Sequence, residues 1–247
     1  MDRNESAPAI VIQSEKRKDY DRILTLLSPV WGIRRVIVYG ARKSQKAVKA
    51  SLYTEATFVV YTNPERNNHT LVDLTTITDH SEIMTSLESS FSASLMSELA
   101  LLEKGEEKKE LYELFTSFLD ILNEENWKRV LIQYIIRYLV LVGIWSDLEY
   151  CPVCSRAYKE KDILGFSSSL AVPCCPNCDS MSSELILPPN ARAYLRDSLR
   201  TEKEKAMGFI ISENMAQRLL RYLIRTLNYS IPVPLKCLKS GLLNSLQ

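Results

Sequence analysis

Four cysteines carry the most specific chemistry in the chain: Cys151-Pro152-Val153-Cys154 and, after 20 intervening residues, Cys175-Pro176-Asn177-Cys178. Two C-x-x-C pairs at this separation bring four thiolates to one point, where a tetrahedral Zn²⁺ is held by sulfur alone. Such a site is closed and leaves no position for water or substrate, so it builds structure rather than catalysing a reaction. Proline after the first cysteine of each pair fixes φ and suits a tight knuckle. The repeated Cys-Pro-x-Cys tetrapeptide selects Cys175 over its neighbour Cys174 as the third ligand.

A second constellation is basic. Between residues 31 and 54 there are six cations, Arg34, Arg35, Arg42, Lys43, Lys46 and Lys49, and no acidic residue. Cations without counter-charge offer a surface for phosphates, each contact releasing condensed counterions. Tyr39, Tyr53, Phe58 and Tyr61 are candidate stacking platforms for bases, with core packing expected for at least half of them. Arg218, Arg221 and Arg225 fall at i, i+3 and i+7 of a late helical stretch, either the solvent face of a core helix or a second basic stripe. Arg137 stands inside an apolar run, where a guanidinium needs a partner. That partner is either a carboxylate of the acidic middle helices or an external carboxylate at the edge of a pocket.

Enzymatic readings fail on particular residues. Gly40-Ala41-Arg42-Lys43-Ser44 lacks the glycine that must precede a phosphate-loop lysine. His80-Ser81-Glu82 has the H-x-E form of zinc deaminases, but the proline-led Cys174 is followed three positions later by Asn177 and not by cysteine. His69 and His80 are the two histidines, and neither stands in a recognisable hydrolytic motif.

The elements that position these residues read as α+β and multidomain. The 247 residues are 46% hydrophobic and carry a net charge of +1, which conceals basic ends and an acidic middle: residues 81–125 hold eleven acidic and three basic side chains. Pro8–Gln13, Tyr20–Ser28, Gly32–Gly40, Glu55–Thr62 and His69–Ile77 are short runs rich in Val, Ile, Thr and Tyr, which fit a five-stranded OB-type barrel, or nearly as well an SH3-like one. In the third run Ile33, Arg35, Ile37 and Tyr39 alternate with Arg34, Val36 and Val38. Apolar stripes then predict helices over 81–103 and 111–122. The nearly all-apolar stretch 127–145 predicts the centre of a helical bundle, and two further helices are expected at about 190–206 and 212–228. The expected organisation is an OB barrel over 1–79, a helical domain over 80–149 and 188–247, and an inserted four-cysteine zinc ribbon over 150–187. Val130–Trp145 is 16 residues long and interrupted by Gln133 and Arg137, short of the roughly 20 needed to cross a bilayer. No secretory signal is read in Met1–Ala9, so a cytoplasmic chain with reduced cysteines and no membrane partner is expected.

Ala9-Ile10-Val11-Ile12, Tyr20 to Ser28 with Gly32, Gly40-Ala41-Arg42-Lys43-Ser44, Tyr112 to Phe118, Trp127 to Gly143, the two knuckles around Phe166-Ser167 and the late Leu238-Lys239-Ser240 occur in an order that resembles the bacterial RecO recombination mediators. The similarity covers nearly the whole chain. It implies an N-terminal OB fold, a helical domain, a zinc-binding segment, and binding of single- and double-stranded DNA. It further implies annealing of complementary strands coated with single-strand-binding protein, docking of that protein's acidic C-terminal tail, and partnership with RecR in loading RecA near the nucleoid. By position Arg34, Arg35, Arg42 and Lys43 fall in the family's DNA-contacting barrel, and Arg137 is a candidate for the tail pocket. Where the family carries Gly-Gly between the knuckles, this chain has Ser168-Ser169-Leu170-Ala171. The expected function is therefore a non-enzymatic, DNA-binding mediator of recombinational repair. The alternative is a zinc-ribbon adaptor that binds proteins without touching DNA.

Overall fold

The computed structural model describes residues 4–17, 19–41, 50–63, 65, 68–103, 105–145, 148–180 and 186–239. The chain divides into two compact units, Met1–Glu124 and Glu125–Gln247.

In the first unit the β-branched runs become β1 (Asn4–Arg17), β2 (Asp21–Ser28), β3 (Gly32–Val38), β4 (Thr54–Asn63) and β5 (Asn68–Asp79). They close into a barrel in the order β1-β2-β3-β5-β4. β1 is long enough to serve two neighbours: Asn4 to Ile10 pair with β4, and Ile10 to Arg17 pair with β2, with a shift in register between Val11 and Gln13. A bulge of this kind bends a strand and lets a sheet curl onto itself. β3 meets β5 in parallel at Ile37 and Thr70, and this crossover gives the Greek-key closure of an OB fold rather than an SH3-like meander. Inward-facing Val11, Leu24, Leu26, Val36, Val38, Phe58 and Val60 fill the interior. The β2–β3 turn is held by Ser28, whose hydroxyl accepts the amides of Val30 (3.2 Å) and Trp31 (3.3 Å) and donates to the Pro8 carbonyl (2.8 Å). Gly32 completes that turn at φ +69°, a conformation glycine adopts without a Cβ penalty.

The single helix expected over 81–103 is two pieces. Ser81–Thr85 is a 3₁₀ turn, and Ser86, in an extended conformation, then caps α1 (Leu87–Leu102) by accepting the Ser89 amide at 3.3 Å. Serine competes for backbone donors in this way and so restarts a helix rather than continuing one. α2 (Lys108–Leu119) packs on β2 and β3, and its Tyr112 hydroxyl donates to Glu55 of β4. Buried His80 sits between the Tyr53 carbonyl (3.1 Å) and Asp120 (2.8 Å), a structural tie within this unit.

The second unit is built on α3 (Trp127–Leu141), whose residues Val130 to Ile136 are all buried. It is shorter than the apolar run because Gly143, at φ +70°, ends it: the Ile144 amide returns to the Leu139 carbonyl (2.9 Å) and the Gly143 amide to Val140 (3.0 Å), a Schellman closure. Around α3 lie α4 (Pro189–Leu199), α5 (Lys203–Met207) and α6 (Glu213–Ser230). The helix expected over 190–206 breaks after Leu199. There Arg137 of α3 donates to the carbonyls of Ser198 (2.9 Å) and Thr201 (3.2 Å), a cation placed at the negative end of α4. The cysteine segment interrupts these helices with a short hairpin, β6 (Gly165–Ser167) and β7 (Val172–Cys174). Phe166 anchors it against Tyr222 and Tyr229 of α6, and Arg192 of α4 donates to the carbonyls of Lys159 (2.6 Å) and Glu160 (2.9 Å).

Candidate metal centre and nucleic-acid face

Each knuckle is set by backbone bonds before any metal is considered. In the first, the Cys151 amide donates to the Arg156 carbonyl (2.8 Å) and the Ser155 amide to the Cys151 carbonyl (2.7 Å), with Ser155 in the left-handed region at φ +60°. In the second, Pro176 opens a 3₁₀ turn that ends at Cys178, whose amide reaches the Cys175 carbonyl at 2.9 Å. The hairpin then brings the two turns together. The sulfurs of Cys151, Cys154, Cys175 and Cys178 all lie within 4.8 Å of one another. Cys174, fully buried beside them, is not one of the four.

Burial pushes the Cys151 thiol up, but amide donors from Cys175, Cys154 and Val153 outweigh it and bring the group down to about 6. Cys178 is pushed up to about 12, first through its hydrogen bond with Cys175. Four thiols this close ionise together only when a cation neutralises them. The environment favours that outcome: the Cys175 amide points at the Cys151 sulfur (3.4 Å), and Arg156 stands beside the cluster with a buried Nε that has no hydrogen-bond partner. Four soft donors, inward amides and an adjacent cation suit a thiophilic metal ion.

The barrel supplies the other candidate face. Arg34 and Arg35, adjacent on β3, point to opposite sides. The Arg34 guanidinium bonds Glu5 (2.7 Å) and lies 4.5 Å from the Trp31 ring, leaving its side chain 18% exposed. Arg35 faces outward, 62% exposed, and reaches Glu15 at 2.9 Å. Ile23, Ile33, Arg34, Arg35, Ile37, Asn68 and His69 line a groove of about 380 Å³. At its edge Thr62 donates to Glu5 (3.0 Å) or shares its hydroxyl with His69 (3.0 Å). Burial, and after it the Arg34 charge, pushes His69 below its ordinary value. Tyr39 is exposed, with Arg17 5.9 Å from its ring, whereas Tyr53 and Phe58 are buried and Tyr61 is half-buried. Arg42, Lys43, Lys46 and Lys49 lie outside the described residues.

Arg218, Arg221 and Arg225 are exposed along α6, opposite its buried stripe Ala216, Leu219, Leu220, Leu223 and Leu227. Arg137 is drawn into a buried network instead of standing open: it donates to Gln133 as well as to the α4 carbonyls, and Gln133 in turn donates to Tyr194 (2.7 Å) and Ser198 (2.8 Å). Sequence reasoning missed Glu5 and Glu15, which counter the two arginines from β1, two strands away in the barrel, and Arg156. For Arg156 a signal existed, a cation two residues beyond a knuckle cysteine.

Two family models match the chain: Recombination protein O N terminal over residues 1–79, and Recombination protein O C terminal over residues 84–239. The chain belongs to the RecO family. Curated relatives agree, each named DNA repair protein RecO. The one from Desulforamulus reducens is 24% identical over 233 residues, 92% of this chain and 90% of the relative. That from Desulfatibacillum aliphaticivorans is 25% identical over 179 residues, 69% of each chain. Another, from Desulfitobacterium hafniense, is 26% identical over 181 residues, 72% of this chain and 65% of the relative. RecO membership places the barrel and the four-cysteine segment in a protein of DNA repair and recombination, the N-terminal match covering the barrel and the C-terminal match the four cysteines. Among the described residues no helix is long and apolar enough to cross a membrane.

Proposed function

We propose that the protein is a non-enzymatic recombination mediator that holds single- and double-stranded DNA on its barrel, anneals strands coated with single-strand-binding protein and, with RecR, helps load RecA. The observation that carries this is exposed Arg35 on β3 and exposed Tyr39 just past its end, beside the 380 Å³ groove of a closed OB barrel. Cations there and on Arg42, Lys43, Lys46 and Lys49 neutralise phosphates, Tyr39 offers a ring on which a base stacks, and sequence reading is left to pairing between the strands. The four thiolates hold Zn²⁺, which fixes the knuckles and takes no part in a reaction. With Arg137 engaged by Gln133 and the Ser198 and Thr201 carbonyls, the exposed stripe of Arg218, Arg221 and Arg225 is the candidate for DNA or for the acidic tail of single-strand-binding protein.

Annealing of complementary oligonucleotides precoated with single-strand-binding protein tests the reading. Acceleration by the wild type, lost when Arg42 and Lys43 are reversed to Glu, supports it; no acceleration at any salt concentration removes it. The second reading, an adaptor that binds only proteins, draws on the ion pairs of Arg34 with Glu5 and Arg35 with Glu15, which cancel part of the barrel's positive field. It requires that partner capture survive those reversals while the wild type itself retains no DNA.

A further inference from the structure

The barrel closes between β3 and β5 at one bridge, Ile37 with Thr70. The two strands are parallel, so Ile33 and Arg35 before the bridge on β3 and Asn68 and His69 before it on β5 lie on the same side of this seam, where the groove of about 380 Å³ opens. Ile23, Ile33 and Ile37 give the groove an apolar wall suited to the face of a planar ring, and Arg35 at its rim supplies a cation for a neighbouring phosphate.

The hydrogen bonds behind His69 fix what its ring offers to that groove. His69 stands opposite Thr62 in the β4–β5 ladder, and its Nδ1 meets the Thr62 hydroxyl at 3.0 Å. The same hydroxyl is 3.0 Å from one oxygen of Glu5, whose other oxygen accepts from Arg34 at 2.7 Å, a bond that keeps the carboxyl ionised. A carboxylate only accepts, so the single hydroxyl proton of Thr62 goes to Glu5 and its oxygen is left to accept from His69. Nδ1 therefore carries the ring proton, and Nε2 of the neutral imidazole is a bare acceptor. Burial and then the Arg34 charge favour the neutral ring, with Glu5 opposing them. Among the described residues Nε2 has no hydrogen-bond partner.

We propose that the groove is a nucleobase subsite in which His69 Nε2 accepts a hydrogen bond from an exocyclic amino group, so that the barrel holds single strands bearing such groups more tightly than strands lacking them. The proposal deepens the DNA-binding reading above and rests on it. Pairing between strands still reads the sequence; the subsite biases which unpaired bases are held. Adenine and cytosine carry the required donor, and in a single strand their edges are free to present it. Thr62 is the positioning residue, because it sets the tautomer without touching the base.

The test uses the full chain and fluorescence anisotropy with two labelled single strands of equal length. One contains adenine and cytosine; in the other, 2′-deoxynebularine and 2′-deoxyzebularine replace them, which deletes the exocyclic amino groups and nothing else. Wild type should hold the amino-bearing strand about 2- to 10-fold more tightly, the range of one net hydrogen bond. His69→Phe, which keeps a ring but has no acceptor, should bring the two affinities together. His69→Gln, whose amide oxygen accepts, should restore part of the difference. Thr62→Val frees the tautomer and should also shrink the preference, and it carries the test if His69→Phe does not fold. The charged groups around the ring are Glu5 of β1 and Arg34 and Arg35 of β3. The preference should be complete above the lowered His69 value and disappear as pH falls through it, because the second ring proton turns Nε2 into a donor. His69→Phe should show no such pH dependence. Equal binding of both strands by wild type, with affinity still falling as salt rises, overturns the subsite and leaves the phosphate-holding barrel standing. A preference that persists unchanged in both His69→Phe and Thr62→Val overturns it as well. A wild type that binds neither strand removes the barrel reading, and the subsite with it.

Discussion

Ala171 sits at φ +55° in the turn joining β6 to β7, where it does the work of a glycine. The left-handed region costs an L-residue with a Cβ roughly 1–2 kcal/mol. Ala171→Gly should therefore stabilise the second unit by about 1 kcal/mol, less the extra freedom that glycine gives the unfolded chain. Denaturant unfolding followed by far-ultraviolet circular dichroism measures it, and a fall in midpoint would show that the turn carries no strain. Glu5 gives a second residue-scale expectation. The hydrogen bond from Arg34 holds its carboxyl below the ordinary glutamate value, against the opposing effect of burial. A group depressed in the folded state contributes its stability fully above the unfolded value and loses it as pH falls through the lowered folded value. In acid titration the wild type should lose stability over that window, and Glu5→Gln should flatten the profile there. Neither effect is readable from residue types alone, since one depends on a dihedral angle and the other on a contact between strands that are not neighbours in the barrel.

Helix ends depend on partners as much as on propensity, as α4 illustrates. Its last turn is met by Arg137, and Arg137 is oriented by Gln133, a fully buried side chain that also holds Tyr194 and Ser198. Replacing Gln133 by Leu leaves several buried groups without partners, and a loss of about 2–4 kcal/mol is expected from unsatisfied polar atoms at roughly 1–3 kcal/mol each. Thermal unfolding checks this; a change below about 0.5 kcal/mol would mean that the network relaxes freely. The same network explains what the sequence could and could not reveal. Strands were visible because alternation and β-branching are local, and the cluster of four cysteines because the spacing of two C-x-x-C pairs signals it. The breaks at Ser86 and after Leu199 were hidden, because apolar periodicity runs straight through both. A capping hydroxyl decides the first, and a cation from another helix meets the second. The ion pairs of Arg34 and Arg35 were hidden as well, since they follow from register and not from local charge.

For the whole molecule, the near-zero net charge hides the basic stretch that the proposed function needs. If about six phosphates are neutralised on a single strand, the log-log dependence of affinity on salt should have a slope of roughly −4. Fluorescence anisotropy with a labelled oligonucleotide gives the slope directly. Arg35→Glu should weaken binding and reduce the slope by about one contact, and a flat salt response would remove the barrel as a phosphate surface. Arg34→Ala is expected to act differently, lowering stability through Glu5 and Trp31 more than affinity. If the four cysteines hold the proposed metal, a chelator should destabilise the Cys151–Cys178 segment first, because that cluster is where its two knuckles are joined.

The double duty of β1 has a consequence for the order in which the chain assembles on a ribosome. Its second half can find β2 almost at once, but Glu5 meets Thr62 across 57 residues. At about 5–20 residues per second, the first half of the strand waits several seconds for β4 to emerge. Throughout that interval the nascent chain exposes the first half of β1, Asn4 to Ala9, without its β4 partner, which makes this the period in which a chaperone or a neighbouring nascent chain competes most directly with the native fold.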